Sequence, residues 1–71
     1  MASNFSVKIF GENLRALRST KGFSQEGFAH LAGLDRTYIG GIERGERNPG
    51  LKVIILIAKH LEVEPAELFK S

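Results

Sequence analysis

The chain has 71 residues, 42% of them hydrophobic, and no cysteine. This length suits one small domain, which we expect to span residues 1–71, and the lack of cysteine excludes disulfides and thiolate zinc sites. Ten basic and eight acidic residues leave a formal net charge of +2, too small to indicate a partner by itself. The two histidines, His30 and His60, are a poor basis for a metal site, so we expect no metal and no cofactor. Because so small a core leaves a thin stability margin, we expect self-association to supplement it.

Membrane and secretory classes are not indicated by the hydrophobic pattern. The longest apolar run, residues 53–57, is far shorter than the ~20 residues that span a bilayer. The N-terminus lacks the basic leader and apolar stretch of a secretory signal. We therefore expect a cytoplasmic protein with no membrane partner.

The first predicted helix runs from about Ser6 to Lys21. Its apolar stripe recurs at three- and four-residue steps and consists of Val7, Phe10, Leu14 and Leu17. Gly22 follows as a left-handed stop. Gly11 lies inside this helix and should weaken it by up to ~1 kcal/mol relative to alanine.

Two short helices joined by a tight turn are predicted next. Helix 2 should begin after Ser24, a good N-cap, and end at Gly33, which takes the positive φ of such a turn without steric cost. Helix 3 should begin after a second good N-cap, Asp35, and stop by Gly45. The residues expected to face inward from the two helices are Phe28, Leu31, Ala32, Ile39 and Ile42.

The C-terminal part predicts two further helices. Helix 4 should run from about Leu51 to Leu61, with an inward stripe of Leu51, Ile54, Ile57, Ala58 and Leu61. Pro65 suits the first turn of a short fifth helix, which Leu68 and Phe69 would fix to the core. The prediction is an all-α, compact, five-helix fold.

Helix 4 carries more apolar residues than one inward stripe needs. Val53 and Leu56 lie close together on a helical wheel, beside His60 and away from the stripe. A soluble monomer gains little by exposing such residues. We therefore predict that Val53, Leu56 and His60 form a homodimer interface.

The spacing in residues 25–44 is typical of a helix-turn-helix. Ala29 is small where the second helix would cross, and Gly33 lies at the bend. Residues 10–69 resemble the lambda-repressor/Cro-type (XRE) helix-turn-helix family through the motifs LR…KG, SQE…A, IERG and the closing L-x-V-x-P-x-x-L-F. The segment LDRTYIGGIERGERNP is similar to the controller proteins of bacterial restriction-modification systems.

The resemblance implies a lambda-repressor-like domain and a homodimeric, sequence-specific transcription regulator of restriction-modification genes. Its partners would be a second copy, a roughly palindromic double-stranded DNA operator, and RNA polymerase, which it would exclude or recruit. Such a regulator would be cytoplasmic and associated with the bacterial nucleoid. Two alternatives stay open: an antitoxin-type or other protein-binding module that also binds DNA, and a phage-type repressor. No motif indicates catalysis, because the carboxylates are mostly isolated on exposed helix positions, so we do not expect an enzyme.

If helix 3 enters a major groove, its early residues reach the base edges. We predict base contacts from Arg36, Thr37 and Tyr38, joined by Arg47. Arg36 can form a fork to guanine O6 and N7, worth ~1–3 kcal/mol of discrimination.

Gly40 and Gly41 follow one turn later, and two glycines in a short helix cost up to ~2 kcal/mol together. Close approach to DNA and relaxed local selection explain them equally well.

Phosphate contacts form the second predicted class. The candidates are Ser24, Gln25, Arg44, Asn48 and Lys52. The resemblance implies this role for Gln25, whereas capping alone is a sufficient role for Ser24, and Arg44 is equally well a plain surface charge. The resemblance also implies a structural ion pair between Arg18 and Glu43, which would fix the angle of the reading helix.

Overall fold

The computed structural model describes the chain from Ala2 to Ser71, and its side chains from Val7 onward. Within this part, helices are the only regular elements. They are α1 (Ala2–Thr20), α2 (Gln25–Ala32), α3 (Arg36–Glu43), α4 (Leu51–Leu61) and a final 3₁₀ helix (Pro65–Phe69). None of these helices combines the length and apolar character that crossing a bilayer requires.

The all-helical prediction is confirmed, with two corrections to its elements. The fifth element is a 3₁₀ helix of five residues instead of an α-helix, and so short a segment is typical of 3₁₀ geometry. The first helix begins at Ala2 instead of near Ser6. The prediction missed this extra turn because the apolar stripe on which it rested starts only at Val7.

Capping residues explain why the predicted bounds of the middle helices agree with the structure. The Ser24 hydroxyl accepts a hydrogen bond from the Gly27 amide at 2.9 Å, which starts α2. Gly33 ends it in the left-handed region with φ of 72°. Asp35 occupies the N-cap position of α3 as predicted, but its side chain makes no capping hydrogen bond.

One cluster of buried side chains joins all five elements. It consists of Phe10, Leu14, Phe28, Ala29, Ala32, Ile39, Ile42, Ile57, Ala58, Leu61 and Leu68. Two residues predicted to face inward do not belong to it, because Leu31 is 47% exposed and Leu51 is 72% exposed. Leu31 lies beside the buried face of α2, and Leu51 is the first residue of α4, where the helix has not yet reached the core.

Gly11 is required by the way α1 packs against the end of α3. A Cβ atom at this position would lie 2.8 Å from the Glu43 carbonyl oxygen and closer still to that of Ile42. These are backbone atoms and cannot rotate away. The glycine therefore lets α1 approach the C-terminal end of α3 closely, and the helix propensity it sacrifices is offset by this packing.

Candidate nucleic-acid interface

The outer side of the helix-turn-helix carries an open polar depression between the start of α2 and α3. It is lined by Gln25, Arg36, Thr37, Gly40 and Arg44. Arg36 and Thr37 are exposed on the first turn of α3, where the sequence predicted base contacts. Two guanidinium groups, an amide and a hydroxyl thus converge on one surface, which is the donor chemistry that base edges and phosphates accept.

Tyr38 is less exposed than predicted. Its ring is half-buried and packs partly against the core. Arg47 is exposed, and its guanidinium carbon lies 5.1 Å from the centroid of the Tyr38 ring, within the range of a cation–π contact. Two predicted base-contacting residues are therefore joined to each other on the side of α3.

Gly40 and Gly41 are both buried, although they lie on the outer side of α3. Protein side chains cover them. A Cβ at Gly40 would lie 3.2 Å from Arg44 Nη1 and 3.3 Å from Gln25 Oε1, whereas a Cβ at Gly41 would lie 2.5 Å from Arg47 Cγ. From the sequence, close approach to DNA and relaxed local selection explain these glycines equally well, and the structure shows a third reason, which is that neighbouring side chains pack over them.

The ion pair between Arg18 and Glu43 is present and nearly closed to solvent, with side chains 11% and 4% exposed. Arg18 Nε donates to Glu43 Oε2 at 2.7 Å, and Nη2 donates to Oε1 at 3.0 Å. Nη1 donates to the Phe23 carbonyl oxygen at 2.8 Å. The hydrogen bond to Glu43 is the main cause that raises the pKa of Arg18 above its ordinary value, and burial opposes it.

Gln25 extends this pair to the start of α2. Its Nε2 donates to Glu43 Oε1 at 3.0 Å, so three helices meet at one carboxylate. One N–H of the amide is used inside the protein, and the second is the one that a phosphate would use. The same side chain thus belongs both to the support of α3 and to the outer depression.

The other predicted phosphate ligands are spread more widely. Arg44 pairs with Glu46 at 3.1 Å, and both side chains are more than half exposed. Such a surface bridge is worth about 0–1 kcal/mol and can open for a phosphate. Asn48 and Lys52 are exposed, but they lie on the following loop and the first turn of α4 and do not line the depression.

The surface of α4 differs in part from the predicted dimer patch. Val53, Leu56 and His60 are half-buried, and Val53 packs against the core. The large apolar side chains exposed on α4 are Leu51, at 72%, and Ile55, at 52%. They are four residues apart and share one face of the helix, although Leu51 was predicted to face inward.

Comparison with known proteins identifies the same helix-turn-helix that the structure shows. Residues 14–68 match the helix-turn-helix family. The chain belongs to that family. It is 46% identical over 69 residues to the control protein C.BamHI of Bacillus amyloliquefaciens, covering 96% of this chain and 84% of that protein.

Two solved structures are similar over most of the chain. The restriction-modification controller protein C.AhdI from Aeromonas hydrophila is 54% identical, with a TM-score of 0.85 over 89% of this chain and 96% of that one. The controller protein C.Esp1396I, solved as a tetramer in complex with its natural 35 base-pair operator, is 42% identical, with a TM-score of 0.82 over 92% and 86%. The proteins to which the chain is similar thus include several restriction-modification control proteins.

Proposed function

We propose that this chain is a single-domain, sequence-specific DNA-binding transcription regulator that acts as a homodimer and controls restriction-modification genes. The observation that carries the proposal is the exposed first turn of α3. There Arg36 and Thr37 face outward beside Arg44 around a polar depression. The similarity of the chain to control proteins favours this function over the antitoxin-type and phage-type alternatives.

Recognition divides between base and phosphate contacts. Arg36 supplies a planar fork that matches guanine O6 and N7, and Thr37 supplies a hydroxyl and a methyl group for neighbouring base edges. Arg47, held at the Tyr38 ring, adds a second guanidinium at the side of the helix. Ser24, Gln25 and Arg44 flank the reading helix and would grip the phosphates, which fixes its register without reading sequence.

Two copies would place two such helices in successive major grooves, ~34 Å apart, and so read a roughly palindromic operator. The exposed Leu51 and Ile55, with the half-buried Leu56, supply apolar area on α4 for self-association. Occupancy beside a promoter would exclude or recruit RNA polymerase. The regulator would act in the bacterial cytoplasm, on nucleoid DNA.

The DNA-reading role is tested with duplexes selected from a random pool and measured by fluorescence anisotropy. We expect Arg36→Ala to lose preference for the selected site while keeping weak, salt-sensitive binding, since phosphate contacts persist. Arg15→Ala removes the same charge from an exposed position of α1 and should keep the preference. Equal preference in wild type and Arg36→Ala, or a wild type without any preference, would end the proposal.

The homodimer is tested separately by sedimentation at micromolar concentration. We expect a wild-type dimer and a shift of Leu56→Glu toward monomer, because a carboxylate would be desolvated in the interface. Ala16→Glu introduces the same charge at an exposed position of α1 and should remain dimeric. A monomeric wild type at this concentration would contradict the assigned surface.

A further inference from the structure

The stem of Arg47 occupies the space that a side chain at position 41 would need. A Cβ built on Gly41 would lie 2.5 Å from Arg47 Cγ, 3.5 Å from Cδ and 3.6 Å from Cβ. The first distance is far inside the ~3.5–4.0 Å at which carbon atoms pack. Arg47 can therefore lie in this position only because residue 41 is glycine.

The loop backbone that carries Arg47 is held in place and cannot move to relieve such a clash. Gly45 turns the chain through the left-handed region with φ of 77°. The amides of Glu46 and Arg47 then both donate to the Gly41 carbonyl oxygen, at 2.8 and 3.2 Å. The loop is thus fastened back onto the last turn of α3, and a Cβ at position 41 would displace the Arg47 side chain instead of the loop.

The same geometry holds the guanidinium of Arg47 at Tyr38. The stem crosses Gly41, and the guanidinium carbon reaches a point 5.1 Å from the ring centroid. Thr37 lies one turn before Gly41 on α3, so Arg47 lies beside the residues predicted to read bases. An arginine already held by a ring and a helix loses little rotamer freedom when it meets a base.

We propose that Gly41 is a positioning residue that sets the DNA selectivity of the chain by holding Arg47 across α3 and against Tyr38. The DNA part of this inference rests on the proposed function, whereas the placement of Arg47 can be measured without DNA. Gly40 offers a matched comparison. The nearest atoms that a Cβ there would meet belong to Arg44 and Gln25 and not to Arg47, so this comparison serves the placement of Arg47 and not DNA binding.

The test is a double-mutant cycle of Gly41→Ala and Arg47→Ala, read on duplexes that change each base pair of the selected site in turn. We expect Arg47→Ala to lose about fivefold or more discrimination at the base pairs it reads, and Gly41→Ala to lose it at the same positions. In the double variant Cγ and Cδ of residue 47 are removed, and its Cβ lies at 3.6 Å from the added methyl, an ordinary van der Waals distance. The double variant should therefore match Arg47→Ala.

A DNA-free measurement separates this inference from the proposed function. Arg47 lies at the ring of Tyr38, so NMR ring-current shifts on the Arg47 side chain report this contact directly. We expect upfield-shifted Arg47 protons in wild type and Gly40→Ala, and ordinary shifts in Gly41→Ala, with urea unfolding showing that each variant is folded. If a variant fails to fold, the double variant, which removes the clash, still tests whether the methyl acts only through Arg47.

Two results would overturn the inference. The first is an unchanged Arg47 shift in Gly41→Ala, which would mean that the stem does not depend on glycine. The second is an equal loss of discrimination when Gly41→Ala is introduced into the wild type and into the Arg47→Ala variant, which would mean that the methyl itself meets DNA. A wild type without preference among duplexes would instead overturn the proposed function, and the NMR shift would still decide the position of Arg47.

Discussion

The carboxylate of Glu43 is the point at which a small change should have the largest effect on stability. It accepts two hydrogen bonds from Arg18 and one from Gln25, and its side chain is only 4% exposed. Replacing it with glutamine keeps the shape but turns one of the two acceptor oxygens into a donor group. That group then faces N–H groups of its neighbours, and the positive charge of Arg18 stays buried without its counter-charge.

The expected loss of stability follows from the cost of removing one partner of a buried ion pair. Removing one partner of a buried pair costs about 3–5 kcal/mol, and the remaining amide oxygen of glutamine recovers part of it. We expect Glu43→Gln to lower the free energy of unfolding by about 2–4 kcal/mol. A chain of this length is stable by about 4–10 kcal/mol in all, so the midpoint of thermal unfolding should fall by about 10–25 °C.

Urea unfolding of Glu43→Gln beside Glu46→Gln measures this cost against a matched control. Both substitutions remove a carboxylate paired with an arginine, but Glu46 and Arg44 are more than half exposed. The control should therefore change stability by less than about 0.5 kcal/mol. With equal m-values, the two variants should differ clearly in urea midpoint. Equal midpoints for Glu43→Gln and Glu46→Gln would refute the claim that burial and hydrogen bonding make this pair important.

Three further predictions concern stability alone and are read by the same urea assay. Gly11→Ala should cost at least about 2 kcal/mol despite its better helix propensity, because the methyl meets the backbone carbonyls of α3; a stabilised variant would contradict this packing. Glu62 ends α4 with φ of 60°, so Glu62→Gly should stabilise by about 0.5–1 kcal/mol, whereas Glu64→Gly, at an ordinary φ of −71°, should not. Because the pKa of Arg18 is raised, its stabilisation is present below its ordinary pKa and is lost only as the pH rises through the raised value. The difference between wild type and Glu43→Gln should therefore stay constant from neutral to mildly alkaline pH, and a steep fall in that range would contradict this assignment.

Local signals were sufficient to predict the bounds of α2, α3 and α4. Ser24 and Gly33 act through their own backbone and nearest neighbours, so their effect on α2 can be derived from sequence. Exposure depends on how helices cross, which no local pattern contains. For that reason the helical pattern predicts Leu31 and Leu51 to face the core, although both are exposed.

In the candidate DNA-binding site, too, some features could be predicted from the sequence and others could not. Arg36 and Thr37 are exposed as helical periodicity indicates, because the opposite side of α3 carries the buried isoleucines. The contact between Arg47 and Tyr38 could not be predicted, since it depends on the loop folding back onto Gly41 after the turn at Gly45. Sequence spacing indicates that Arg36 and Thr37 face outward from α3, and the turn at Gly45 decides that Arg47 lies beside Tyr38.

Glycines inside helices show most clearly why propensity alone misleads here. Gly11 and Gly41 each weaken a helix when judged locally, yet each leaves room for another part of the chain. On the inner side of α3, Gly11 admits α1 and brings Arg18 to Glu43. On the outer side, Gly41 admits Arg47 and brings it to Tyr38. The helix α3, which presents Arg36, is therefore packed closely on both sides. In each contact one of the two partners is a glycine, Gly11 of α1 on the inner side and Gly41 of α3 itself on the outer side. Substitutions that improve the intrinsic helicity of α3 at Gly41, or that of α1 at Gly11, should impair selectivity or stability.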